Sequence, residues 1–254
     1  MEWHLLFAEA HPSPTLREQY GPLLGCHNGD PKPMIELECD AVLFDLDGVL
    51  VDSTVCVVRL WRRWAAEHNL DFNEIMRVVH GRPTVETIGL VAPHLPAEEE
   101  AARFDAAEAI DTDGVTGIEG ASQLVHFLPS DAWAVVTSGT RDTAMTRLTH
   151  TGLPIPSVLV TADDVKRGKP DPEAYLLAAA KLGVRPERCV VVEDAPVGVS
   201  AAHSAGMRAV AVATTHSQIE LREADVKAKQ LTDIRVSRNV KRPGGRLTVG
   251  VTEA

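Results

Sequence analysis

The sequence predicts an α/β protein with a doubly wound parallel-sheet (Rossmann-like) core and an inserted small α-helical cap domain. Three observations predict it. After Gly117, short apolar runs alternate with stretches of helical spacing, the order that builds a parallel sheet covered on both faces. An earlier run of the same kind, Ala41-Val42-Leu43-Phe44, is separated from that alternation by a block with helical spacing and little strand signal. Several of the runs end in Asp, Thr or Glu, and open α/β sheets bind ligands at the C-terminal ends of their strands.

Taken in order, residues 1–34 show no clear periodicity and several Pro and Gly, so they read as a flexible extension without a catalytic part, or as a docking arm. The core opens over 35–52, where the apolar run reads as a buried strand closed by a sharp turn at Asp45-Leu46-Asp47-Gly48. Over 54–68, Val57, Leu60, Trp61 and Trp64 recur at helical spacing behind an N-cap at Asp52 or Ser53. Segments 73–80, 84–90 and 97–110 also read as helices, so 53–117 is the cap. The core resumes over 118–237. Strands are expected at 132–137, 157–161, 188–193 and 208–213, and helices at 120–128, 140–150, 172–182, 196–205 and 217–223. Residues 238–254, with Arg, Lys, Pro and paired Gly, read as a loose tail.

The 254 residues allow one large domain or two modest ones, and 44% hydrophobic content suffices for a sizeable core. Aromatic residues are only 4%, so that core must rest on Val, Leu, Ile and Ala. A formal net charge of −11 argues against nucleic acid and anionic membranes as partners. No run approaches the ~20 apolar residues of a membrane span, and His4-Leu5-Leu6-Phe7-Ala8 lacks the basic region of a signal peptide. Cys26, Cys39, Cys56 and Cys189 form no CxxC pair, which fits a reduced, cytoplasmic protein. Whether it is a monomer or a homodimer the residues leave open.

The chemistry concentrates at four strand ends. Residues two apart on an extended segment point the same way, so Asp45 and Asp47 face one small space. Carboxylates that close repel, and one wants a cation and the other a proton. That suits a Mg²⁺-assisted nucleophile paired with a general acid/base, although a plain turn would use the same residues. At Thr137-Ser138-Gly139-Thr140, a hydroxyl and free N–H groups at a helix start form an anion cradle, or an ordinary N-cap at Thr140. Lys169, in a loop stiffened by Pro170 and Pro172, could neutralise a phosphoryl group or belong to a solvated basic loop, as Lys166 and Arg167 do. Glu193-Asp194 closes a buried strand with two hard oxygen ligands, suited to Mg²⁺; a simple cap at Asp194 is the alternative.

Together these motifs, in this order, resemble the haloacid-dehalogenase-like hydrolase superfamily. The resemblance covers about residues 36–236, with Asp45–Ser53 as its first motif and Thr137, Lys169 and Glu193-Asp194 as the others. Within it, Trp133–Asp142, Asp164–Pro170 and Glu193–Gly198 look like the glycerol-phosphate and 2-deoxyglucose-6-phosphate phosphatases. The resemblance implies that Asp45 attacks phosphorus to form an aspartyl-phosphate. Asp47 then protonates the leaving alcohol and later activates water. It also implies Mg²⁺ held by Asp45, the Asp47 carbonyl and Asp194, with Glu193 as a further ligand or a partner of the ligands. Thr137, Ser138, Gly139 and Lys169 would hold the phosphoryl group. In the cap, His80-Gly81-Arg82 is placed where the family meets its substrate, although Arg82 would serve equally as a surface residue.

The expected activity is a Mg²⁺-dependent hydrolysis of a small phosphorylated sugar or polyol. A phosphosugar mutase of the β-phosphoglucomutase kind is the alternative, and a non-catalytic phosphometabolite sensor is a second. The intact Asp45, Asp47, Lys169 and Asp194 argue against the sensor, because a binder needs no nucleophile.

Overall fold

The computed structural model describes residues 34–239 and 246–252. The reading of residues 1–33 as an extension therefore lies outside the described residues. Strand β1 (Met34–Cys39) runs through Asp40 into β2 (Ala41–Phe44), every residue of which is buried. A short strand β3 (Val51–Asp52) follows the Asp45–Leu50 turn. Four helices come next: α1 (Thr54–Glu67), α2 (Phe72–Met76), α3 (Thr84–Val91) and α4 (Ala97–Glu108). Strand β4 (Thr116–Gly117) returns antiparallel to β3, so the helical insert leaves and re-enters the core through a two-stranded neck.

The alternation then runs α5 (Ala121–Phe127), β5 (Trp133–Val136), α6 (Arg141–His150), β6 (Leu159–Val160), α7 (Glu173–Leu182), β7 (Cys189–Glu193), α8 (Pro196–Ser204), β8 (Arg208–Val212) and β9 (Val226–Ala228). These five strands and β2 make one sheet in the order β6-β5-β2-β7-β8-β9, with every neighbouring pair parallel. Its side chains divide by the two-residue period of a strand. Val42, Phe44, Val190, Val192, Val210 and Val212 face a core shared with α5, α6 and the insert. Ala41, Leu43, Val191, Ala209 and Ala211 face α7 and α8. Burial on both faces is why these strands read as unbroken apolar runs.

Three expectations need correction. Residues 217–223 form turns, not a helix: after one helical bond from the Leu221 N–H to the Ser217 carbonyl, the Ala224 N–H turns back to Leu221 and the Asp225 N–H bonds the Ala209 carbonyl, which draws the chain into the sheet. The helix begun near 73 ends at Met76, where the N–H groups of Val78 and Val79 both turn back to the Ile75 carbonyl. The supposed loose tail holds a strand. β10 (Ile234–Asn239) and β11 (Arg246–Thr252) join β1 in an antiparallel sheet of order β1-β11-β10. Leu247, Val249 and Val251 of β11 are fully buried, which the Pro and Gly just before them masked in the sequence.

Cys39, Cys56 and Cys189 are free and buried. No helix among the described residues is long and apolar enough to cross a membrane.

Candidate active site

β2 lies between β5 and β7, so the ends of these three strands are neighbours. Asp45 follows β2 directly, and its N–H bonds to the Val192 carbonyl at 3.0 Å. Thr137 follows β5, while Glu193 closes β7 with Asp194 just beyond. The turn after Asp47 needs glycine twice over. Gly48 has φ +82°, and a Cβ there would meet Asp194 Oδ2 at 2.1 Å.

Lys169 reaches this centre from the loop before α7 and is 1% exposed. Its ammonium donates to Asp45 Oδ1 at 2.5 Å, to Glu193 Oε1 at 2.6 Å and to the Val136 carbonyl at 3.4 Å. Burial opposes that charge, but Asp45 and Glu193 outweigh it and hold the Lys169 pKa above the ordinary lysine value. Glu193 is fully engaged. Oε1 also accepts from the Tyr175 hydroxyl at 2.6 Å, and Oε2 accepts from the N–H groups of Asp194 and Ala195. A Cβ on Gly198 would lie 1.9 Å from Glu193 Oε1, so a bare backbone is required there.

Asp45, Glu193 and Asp194 are buried and offer ligand oxygens within 4.8 Å of one another. Burial pushes the Asp45 carboxyl up to about 7, with Glu193 and Asp47 adding to the rise and Lys169 working against it. Burial, followed by Asp45 and Glu193, raises Asp194 well above the carboxylate range, with the Thr215 hydroxyl and Lys169 opposing it. Three carboxylates around one ammonium leave an excess of negative charge, which a divalent cation would balance. Among the described residues, Asp45 Oδ2 and Asp194 Oδ1 have no protein donor, while Asp194 Oδ2 accepts from the Thr215 hydroxyl. The donor set is all oxygen and fits Mg²⁺ at Asp45 and Asp194. Glu193, with both oxygens taken, fits the other role, anchoring Lys169.

Asp47 turns its carboxylate toward the insert. Oδ1 accepts from Ser53 Oγ at 2.7 Å, and Oδ2 accepts from Arg147 Nη1 at 2.7 Å. Ser53 occupies the N-cap position of α1 but makes no capping bond, because its hydroxyl is committed to Asp47; Asp52 takes the Thr54 N–H instead. Arg147 is 3% exposed and donates its second terminal nitrogen to Glu108 Oε1 of α4 at 2.9 Å.

The β5–α6 loop is built as a cradle. The Thr137 hydroxyl oxygen accepts from the Gly139 N–H, which leaves its own proton free to donate. Thr140 caps α6 through the Thr143 N–H, so the cap and the cradle coexist. Ser138 Oγ donates to the Gly81 carbonyl of the insert at 2.8 Å, so its hydroxyl ties insert to core. His80 and Arg82 line the same cavity as Asp45, Asp47, Thr137 and Asp194. The His80 ring stands edge-on to His216 with centroids 5.4 Å apart, and burial followed by His216 lowers its pKa.

Sequence reasoning missed Arg147, Glu108, Tyr175 and Thr215. A signal existed for the first two: each is a charged residue in the buried stripe of its helix, Arg147 beside Ala144 and Leu148, Glu108 after Ala101 and Phe104.

A parallel sheet with carboxylates, a lysine and an anion cradle at adjacent strand ends belongs to a known class of hydrolase. The family model of haloacid dehalogenase-like hydrolases matches residues 39–206, and the chain belongs to that family. It is 41% identical over 214 residues to hexitol phosphatase A of Escherichia coli, covering 82% of this chain and 98% of that one. It is 36% identical over 220 residues to glycerol-1-phosphate phosphohydrolase 2 of Saccharomyces cerevisiae, covering 81% and 87%. Among solved structures, a hydrolase from Pseudomonas syringae is similar at a TM-score of 0.66 and 29% identity, over 74% of this chain and 92% of that one.

Proposed function

We propose that the chain is a phosphoric monoester hydrolase that uses Mg²⁺ to release phosphate from a small sugar or polyol phosphate. The observation that carries this reading is the pairing at one cavity of Asp45, held by Lys169, with Asp47 two residues on and directed to the insert. The names of the relatives support the substrate class, and the free, buried Cys39, Cys56 and Cys189 fit a cytoplasmic enzyme.

In this mechanism the Thr137 hydroxyl and the N–H groups of the following loop bind the phosphoryl oxygens, and Lys169 offsets their charge. Asp45 attacks phosphorus; the P–O bond to the sugar breaks and an acyl phosphate forms. Asp47 gives its proton to the departing alkoxide. It then takes a proton from the water that attacks the aspartyl-phosphate, which releases phosphate and restores Asp45. Mg²⁺ held at Asp45 and Asp194 would neutralise carboxylate and phosphoryl charge. Phosphoryl transfer asks mainly for such positioning and charge balance. The insert acts as a cap that excludes bulk water and admits small esters, with His80 and Arg82 facing the substrate.

Rapid acid quench and intact-mass measurement test the roles. With an activated aryl phosphate, Asp47→Asn is expected to accumulate one phosphoryl group, because the water step lacks its base, while Asp45→Asn takes none. An adduct on Asp45→Asn would overturn the nucleophile. Free phosphate from a screen of sugar and polyol phosphates is the expected product; phosphate moved to another position of the same sugar would identify a mutase instead.

A further inference from the structure

We propose that Arg147 is a positioning residue for the reaction, orienting the Asp47 carboxylate through one guanidinium nitrogen while Glu108 of the insert orients Arg147 through the other. The proposal rests on the reading of Asp47 as the proton carrier.

The geometry is that of a relay. Burying a guanidinium is costly unless it is paired on the spot. Arg147, on α6, is 3% exposed, and its two partners come from different parts of the chain: Asp47 from the β2 turn and Glu108 from the last helix of the insert. Its Nε is buried without a hydrogen-bond partner, so the side chain is placed by its two terminal nitrogens alone among the described residues. Asp47 in turn is held at both oxygens, by Arg147 and by Ser53 at the head of the insert. The planar guanidinium fork spans two carboxylates at fixed angles, which a lysine ammonium on a flexible stem does not reproduce. A displacement of α4 that breaks the Glu108 contact therefore loosens the group that aims Asp47. The proton carrier is set in place only when the insert is docked, which ties proton delivery to a closed cavity.

The test compares two leaving groups. kcat/KM reports the steps up to release of the alcohol. A nitrophenolate departs without a proton, whereas a polyol alkoxide needs one. Asp47→Asn serves as the reference, and it is expected to lose ~10²–10⁴-fold on the polyol phosphate but far less on p-nitrophenyl phosphate. Arg147→Met is expected to follow the same pattern with a loss of about 10²-fold on the polyol phosphate. The double variant Asp47→Asn/Arg147→Met should be no slower than Asp47→Asn alone, because the two residues act as one unit. Arg147→Lys should recover only part of the loss. Equal losses on both substrates would make Arg147 merely structural. Additive losses in the double variant would make it a substrate contact. Either result overturns the proposal. If Arg147→Met does not fold, Glu108→Gln, which keeps size and an acceptor, is judged by the same comparison: a loss confined to the polyol phosphate supports the relay and no selectivity rejects it. If Asp47→Asn itself discriminates neither leaving group, the proton-carrier reading falls and the relay with it, whereas a selective Asp47→Asn beside an unselective Arg147→Met removes the relay alone.

Discussion

Asp45 and Asp194 must be ionised to hold a cation, and burial resists this. Their folded pKa values stand above the ordinary carboxylate range, Asp45 at about 7, so below that pH a proton occupies the place the metal needs. Mg²⁺ affinity should therefore fall as pH drops through about 7, and binding near pH 6.5 should release protons. Calorimetric titration in two buffers of different ionisation enthalpy checks this: the apparent heat should depend on buffer at pH 6.5, and the number of protons released should fall as pH rises through about 7. Heats independent of buffer at the lower pH would place the metal elsewhere. These acids were legible in the sequence because each ends an apolar run. Two partners in the same network were not: Thr215, which bonds Asp194, and Tyr175, which bonds Glu193, come from segments whose only local signal is turn-like or helical, and long-range contact leaves no trace in spacing.

Helix α7 illustrates how an element serves the site from behind it. Tyr175 is fully buried in the face that packs under the sheet, yet its hydroxyl rises to Glu193, the residue that anchors Lys169. Tyr175→Phe removes a bond to a charged acceptor and should cost about 1–3 kcal/mol of stability. It should also lower kcat more than it changes KM, because Lys169 is left with a looser anchor. Denaturant melts and steady-state kinetics read the two effects separately, and an unchanged kcat would confine Tyr175 to packing. Elements with a strong local signal, such as α1, α4 and the core strands β2, β5, β7 and β8, were visible from the sequence to within a few residues, whereas the short edge strand β9 was not. The segment at 217–223 deceived because Ser217 and Glu220 spell a helix start, and here the same pair closes a single turn.

On the scale of the whole molecule, the small sheet depends on its last strand. β11 pairs with β1 on one side and β10 on the other, and it carries three fully buried aliphatic side chains, Leu247, Val249 and Val251. Each contributes roughly 1.5–3 kcal/mol by burial. Deleting residues 246–254 should therefore give an unstable, aggregation-prone protein, with two strands left unpaired. A melting temperature equal to that of the full chain would return the segment to the status of a dispensable tail. The register also sets a timetable. Met34 lies opposite Thr252, so the first described strand cannot find its partner until the last described residues have been synthesised. During translation the parallel sheet and its acidic centre can assemble while β1 waits with both edges open. The parallel sheet and its acidic centre need nothing beyond Ala228, whereas β1 has no strand to pair with until β11 is made, so the three-stranded sheet is the last piece to close.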